Sequence, residues 1–140
     1  MTDAANYFGP EPAETGTAGG WFDVNSDVIS FEMSPGLGFR PVIGQGLAVN
    51  MVTFEPNTVA PVHAHSEEQV LLMLEGELEF EVSGEKRLLR RGQGVVIPPH
   101  TPPGARTYDT TAVEIDIFHP PRQNLLDAIK ARQGDASGQG

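Results

Sequence analysis

Pro61-Val62-His63-Ala64-His65-Ser66-Glu67-Glu68-Gln69, with Gly76 seven residues beyond Gln69, decides how this chain folds. Residues two apart project from the same face of a β-strand, so an extended segment places His63 and His65 side by side. The surroundings read as strand rather than helix. An antiparallel barrel presents imidazoles to a metal in its interior in this way. Which residues complete the pair therefore determines the chemistry.

Outward from this stretch, short apolar runs alternate with turn residues. The runs are VISFEM (28–33), LGFRPVI (37–43), GLAVNMVTFEP (46–56), VAPVHAH (59–65), QVLLMLEG (69–76), ELEFEV (77–82), KRLLRRG (86–92), GVVIPP (94–99) and TAVEIDIF (111–118). In one of them Glu77, Glu79 and Glu81 alternate with Leu78, Phe80 and Val82, the mark of a half-buried strand with one wet face. Turns fall at Pro35-Gly36, Ser83-Gly84, Gly92-Gln93-Gly94 and Pro102-Pro103-Gly104. Eight or more short strands joined this way predict an all-β fold, a closed barrel or a double-sheet sandwich. The end differs. Leu125, Leu126, Ile129 and Arg132 recur at helical intervals after Pro120-Pro121, predicting a short amphipathic helix over 122–132 that covers one edge of the barrel. Residues 1–20 read as a flexible N-terminal arm, 21–132 as the barrel with its helix, and 133–140 as a polar tail.

Composition bounds the function. A chain of 140 residues is one domain, and 16 glycines with 12 prolines suit many tight turns. With no cysteine, disulfides, thiolate metal sites and cysteine nucleophiles are excluded. The N-terminus lacks a basic and apolar leader and no run reaches membrane length, so a soluble, cytoplasmic protein is expected. A net charge of -10 argues against nucleic acid or anionic membrane as partner. An anionic small-molecule substrate would require the few arginines to build a local basic pocket.

These residues resemble the cupin superfamily. Its first motif has the form G-x5-H-x-H-x3-4-E-x6-G, and this chain has His63-x-His65-x3-Gln69-x6-Gly76. The second has the form G-x5-P-x-G-x2-H, and here Gly92-x5-Pro98 is followed by Pro99-His100-Thr101-Pro102-Pro103. The resemblance covers roughly residues 28–122. It implies a double-stranded β-helix, the jelly-roll barrel, holding a divalent transition metal such as Zn, Ni, Mn or Fe. The usual ligands there are three histidines and one glutamate.

The chain departs from that set twice: the glutamate position is Gln69 and the last histidine position falls on Pro103. A neutral amide oxygen in place of a carboxylate leaves a bound metal one more unit of positive charge, weakening binding and raising Lewis acidity. His63, His65 and Gln69 are thus the expected ligands. His100, three residues before the usual position, joins them if its turn shifts, and Glu67 or Glu68 does so if a bulge changes the register. The alternative is a pocket that has lost its metal and keeps two satisfied histidines.

A second constellation lies near the end. Glu114, Asp116 and Phe118 share one strand face, opposite Val113, Ile115 and Ile117. If the apolar set packs between sheets, the two carboxylates need hydrogen-bond or cation partners in the lumen. Asp116-Ile-Phe118-His-Pro-Pro-Arg122 resembles the D-x-F-S-P-P-R ending of small cupins of the KdgF type, with His119 where serine is usual. That type is linked to the opening or tautomerisation of 4,5-unsaturated uronates. The resemblance implies Asp116 as the acid/base group, Phe118 as a pocket wall and Arg122 as a carboxylate clamp. Alternatively, Asp116 and Arg122 pair with each other and pin the helix.

Arg40, Arg106 and Tyr108 are further candidates for substrate binding, because their strands would border the lumen, as would that of Asn50. The expected function is a small cupin isomerase, lyase or ring-opening enzyme that moves a proton on a compact oxygenated acid with metal assistance. A metal-free ligand-binding cupin, or a natural-product cyclase or dehydratase, is the alternative. Small cupins frequently dimerise through N-terminal strands, which makes Trp21–Met33 the expected contact of a homodimer.

Overall fold

The computed structural model describes residues 19–60 and 64–138, with side chains through 133. His63, most of the arm expected for 1–20 and the end of the tail expected for 133–140 lie outside the described residues. Among the described residues ten strands precede one helix: β1 (Phe31–Ser34), β2 (Leu37–Ile43), β3 (Ala48–Phe54), β4 (Val59–Ala60), β5 (Glu68–Gly76), β6 (Leu78–Val82), β7 (Glu85–Leu89), β8 (Gly94–Ile97), β9 (Pro103–Arg106), β10 (Ala112–His119) and α1 (Gln123–Gly138). A six-stranded sheet runs β1-β2-β3-β10-β5-β8 and a four-stranded sheet runs β4-β9-β6-β7, with antiparallel pairing throughout the described residues. Two antiparallel sheets of this order form the jelly-roll barrel, closed at one side by the helix.

Period-two alternation sorts side chains between inside and outside. Leu78 and Phe80 on β6 are buried, while Glu77, at the strand's start, is exposed. Leu37, Val52, Phe54, Leu71, Met73, Leu78, Phe80, Leu89, Ile97 and Ala112 pack into one core between the sheets. Fully burying each larger aliphatic contributes roughly 1.5–3 kcal/mol.

β10 is central, registered against both β3 and β5: Asp116 lies opposite Asn50 on one side and Leu71 on the other. Its inward face is not the apolar one. Ala112, Glu114, Asp116 and Phe118 are buried, whereas Val113 and Ile115 are half-buried and Ile117 is 37% exposed on the outer surface. The apolar set does not pack between the sheets; the carboxylates do.

Gly76 ends β5 at a place where a side chain cannot fit. Its φ is 74°, and a Cβ there would overlap the carbonyl oxygen of Thr111, next to the strand that Gly76 pairs with. This close approach is the physical reason for a glycine at that spacing.

The helix runs from Gln123 to Gly138, through residues read from sequence as tail. Leu125, Ala128 and Ile129 face inward, with Leu125 and Ile129 packing with Ile43, Ala48 and Phe118 in a second cluster at the barrel mouth. Its start is held by Glu67, whose carboxylate accepts from the Gln123 amide at 3.3 Å. An anionic group is favoured there by the free amides and dipole of a helix N-terminus. None of the described helices is long and apolar enough to cross a membrane.

Candidate functional site

A cavity of about 570 Å³ opens between the sheets and beneath α1. Its wall is largely apolar, including Phe39, Val52, Phe54, Leu71, Phe80 and Phe118. His65, Gln69, Glu114, Asp116 and Arg122 come to it from around β5, β10 and the turn into α1, while Asn50 on β3 and Asn124, Asp127 and Arg132 on α1 add further polar groups. A mostly apolar pocket with a few convergent polar groups is the usual form of a small-molecule site.

His65, Gln69 and Asp116 form a chain. His65 Nδ1 lies 2.9 Å from the carbonyl oxygen of Glu67, and 3.6 Å from the Glu67 carboxylate. A carbonyl only accepts, so Nδ1 carries the hydrogen. His65 Nε2 faces Gln69 Oε1 at 3.2 Å, and Gln69 Nε2 donates to Asp116 Oδ1 at 2.7 Å. The ring of Phe118 stands edge-on to that of His65, centroids 5.7 Å apart. Arg122 places its guanidinium carbon 5.7 Å from the Phe118 ring centroid.

Burial sets the electrostatics. It pushes the Asp116 carboxyl above its ordinary value, opposed by hydrogen bonds from Glu114 and Gln69 and by the charges of Arg122 and His65. Burial also pushes Glu114 well above its ordinary range, with the Asp116 charge and a hydrogen bond to Asp116 acting in the same direction. All three effects favour the protonated form of Glu114. Burial lowers Arg122, while Asp116 and Glu67 support its charge. Among the described residues no direct ion pair joins Arg122 to Asp116, and Arg122 Nε is buried without a partner.

Residues 50–118 match the cupin domain family. KdgF from a Halomonas species is 30% identical and superposes with a TM-score of 0.69, covering 76% of this chain and 98% of that one. The chain belongs to the cupin family. It is also similar to an RmlC-like cupin from Shewanella frigidimarina, 28% identical with a TM-score of 0.69, over 74% of this chain and 94% of that one. The polyketide cyclase RemF from Streptomyces resistomycificus shares the fold at 21% identity, with a TM-score of 0.64 over 74% and 81% of the two chains. No curated protein sequence matches.

The cupin barrel brings together His65, Gln69, Asp116, Phe118 and Arg122 from the residues expected on sequence. It does not bring in the others. His100 is exposed on its turn at φ 64°, with its amide, not its ring, bonded to the His65 carbonyl at 2.7 Å. Arg40 points to the outer face, where it donates to Asn25 Oδ1 at 2.8 Å; its neighbour Phe39 takes the inward position. Arg106 and Tyr108 are exposed, stacked on each other at 4.5 Å, with the Tyr108 hydroxyl on Glu79. Counting strand alternation from the wrong phase accounts for Arg40, since one residue's shift exchanges the faces.

Other residues take roles at the site that differ from those expected or were not expected. Glu67 holds His65 and α1 at once, rather than turning inward as a ligand, and Glu68 is exposed. Pro103 lines the cavity where the family's last histidine is usual, so that wall is apolar. From α1, Asn124, Leu125, Ala128 and Arg132 complete the mouth.

Whether the donors suit a metal is testable from the amide. Gln69 Nε2 is committed to Asp116, which turns the acceptor Oε1 toward His65 Nε2, itself an acceptor once Nδ1 carries the hydrogen. Two lone pairs converge at 3.2 Å, an arrangement that needs a cation or a proton between them. The pair fits two ligands of a divalent metal. Among the described residues no cluster of three or more His, Asp or Glu is placed to hold one; His63 is the remaining candidate and lies outside them.

Proposed function

We propose that this cupin is an enzyme that moves a proton on a compact oxygenated acid, an isomerase, lyase or ring-opening catalyst with an unsaturated uronate as the type substrate. The observation that carries the reading is the convergence of Asp116, Gln69 and Arg122 on a cavity whose wall is mostly apolar. Its similarity to KdgF supports the same choice.

Arg122 takes the substrate carboxylate. Its buried, unpartnered Nε and its position over Phe118 leave donors for a forked contact. Phe118 supplies a flat wall for the carbon skeleton. Asp116 is the acid/base group: burial makes it a stronger base than an ordinary aspartate, and Gln69 fixes Oδ1 by a 2.7 Å hydrogen bond. Glu114, neutral, holds its proton against Asp116 and so keeps Asp116 the ionised member of the pair. The apolar wall excludes water around the transferred proton.

His65 and Gln69, with His63 by its place in the motif, would hold a divalent transition metal. Bound there it would supply Lewis-acid stabilisation of charge developing on a substrate oxygen. The neutral amide ligand makes that metal easily lost. Metal analysis after purification without an affinity tag tests this independently of turnover. Near-stoichiometric metal that falls in His65→Ala supports the site. Less than about a tenth of an equivalent, with no activity restored by Zn, Ni, Mn or Fe, favours a metal-free ligand-binding cupin instead.

We also propose a homodimer, its contact formed by the outer face of the six-stranded sheet together with the Trp21–Met33 segment, whose Phe22 and Val24 border the same hollow as Val42, Val49 and Met51. Val42, Val49, Ile117, Val70 and Val96 lie side by side across five strands, with Met51, Ile115 and Leu72 in the next row. Val96 is 59% exposed and Leu72 42%. On a chain of net charge -10 this face carries few charges, so two copies meet there with little repulsion.

A further inference from the structure

Glu114 is only 2% exposed, deeper than Asp116 on the same inward face of β10. Its register partners are Val52 on β3 and Met73 on β5, and Phe54 and Leu71 line the cavity beside it. A leucine would fill such a place at no polar cost. One carboxyl oxygen of Glu114 is engaged with Asp116. The other, Oε2, is buried with no hydrogen-bond partner, although the residue lines the cavity. That oxygen is an acceptor whether or not the carboxyl is ionised. Leaving it unpaired beside apolar neighbours is unfavourable, and the contact of the other oxygen with Asp116 does not relieve it, so Oε2 calls for a donor from the cavity.

We propose that Glu114 is a specificity residue whose Oε2 accepts a hydroxyl hydrogen from the ligand at the cavity floor, so that the protein selects acids bearing a hydroxyl remote from the carboxylate. The inference rests on the proposed orientation, with the carboxylate on Arg122 at the mouth. Phe118, Asp116 and Glu114 recur every second residue, about 7 Å per step along the strand. The Arg122 guanidinium carbon lies 5.7 Å from the Phe118 ring centroid, and with the clamp taken at the Phe118 end the floor acceptor is roughly two steps away, about 14 Å. A six-carbon acid with a terminal hydroxyl, and a hydrogen bond of about 2.8 Å at each end, matches that span. Asp116 then lies beside the middle carbons, where a proton would be moved.

The probes are hexanoate, 6-hydroxyhexanoate and 6-methoxyhexanoate, with binding measured by calorimetry on wild-type protein, Glu114→Met, Glu114→Gln and Arg122→Leu. Wild type should bind the hydroxy acid about tenfold or more tightly than the other two acids, because only it brings a donor. Glu114→Met, similar in size but without an acceptor, should reduce that preference to about one. Glu114→Gln, which keeps a carbonyl oxygen, should retain most of it. Arg122→Leu should weaken all three acids together. Thermal melts accompany the series: Glu114→Met should be at least as stable as wild type, whereas a residue that merely props Asp116 would lower the melting temperature when removed.

The two failures are distinct. Equal binding of the three acids by wild type, still lost in Arg122→Leu, overturns the floor acceptor and leaves the carboxylate clamp standing. Absence of any Arg122-dependent binding overturns the clamp and the floor acceptor with it. The methoxy comparison needs only wild-type protein, so a variant that fails to fold does not protect the proposal.

Discussion

Gln69 Nε2 donates to Asp116 Oδ1 at 2.7 Å, tying β5, which follows the histidine motif, to β10, which carries the proposed acid/base group. The amide is what allows that link. A glutamate at this position would set a second carboxylate against Asp116. Gln69→Glu should therefore lower the stability of metal-free protein by about 1–3 kcal/mol at neutral pH, with the loss shrinking in acid as one of the carboxyls protonates. Added divalent metal should restore more stability to this variant than to wild type. Melting curves with chelator and with metal across pH check both statements.

Asp116→Asn keeps the volume and a contact to Gln69 while removing the base. Turnover of an unsaturated uronate should fall about 10²–10⁴-fold. The fold should hold, since a neutral amide is easier to bury than a carboxylate. Unchanged turnover in a folded variant would reduce Asp116 to a structural partner of Gln69.

Arg122 separates binding from proton transfer. Arg122→Lys retains the charge but loses the planar fork over Phe118. KM should rise about tenfold or more while kcat changes less, and charge-neutral substrate analogues should be nearly indifferent to the substitution. Steady-state kinetics on the acid and its amide distinguish these outcomes.

Strand positions were legible in the sequence because both alternation and turn chemistry announce them. Glu77 to Val82 reads directly as β6, and Gly76 marks a backbone approach that tolerates no Cβ. β9 was legible only at Arg106: Pro103-Gly104 reads as a turn, yet Pro103 and Gly104 belong to the same extended strand, paired with β4 and β6. The site was readable where residue types are unusual for a core, as with Asp116 between apolar neighbours. It was unreadable where position depends on tertiary phase. Arg40 and Phe39 are adjacent, and only the pairing of β2 with β3 decides which enters the cavity. Glu67 belongs to the same class, since its use as a helix cap depends on α1 folding back from 56 residues away.

Glu114 gives stability a pH dependence. Its carboxyl is raised well above the ordinary 4.5 in the folded protein, chiefly by burial and next by the Asp116 charge. The folded state thus holds this proton more tightly than the unfolded chain. The associated stability is fully present below pH 4.5 and is lost as pH rises toward the folded pKa. Glu114→Gln removes the titration, so the melting temperature of wild type relative to this variant should decline as pH is raised above 4.5. A constant difference from acid to neutral pH would mean that Glu114 is not held neutral.

The outer sheet offers a test of assembly that leaves the cavity untouched. Ile117 sits between Val49 and Val70, with its side chain 37% exposed and pointing away from the lumen. Two copies joined face to face would bury this row against itself, the self-complementary contact of a two-fold dimer. Ile117→Lys places like charges opposite each other in that contact and solvates well in a monomer. Light scattering should show wild type at twice the mass of the chain and the variant at the monomer mass, with binding of the acid probes preserved. A variant that remains dimeric would assign the contact to another face, because a buried lysine facing its own symmetry mate without a partner costs several kcal/mol and would not survive at micromolar protein.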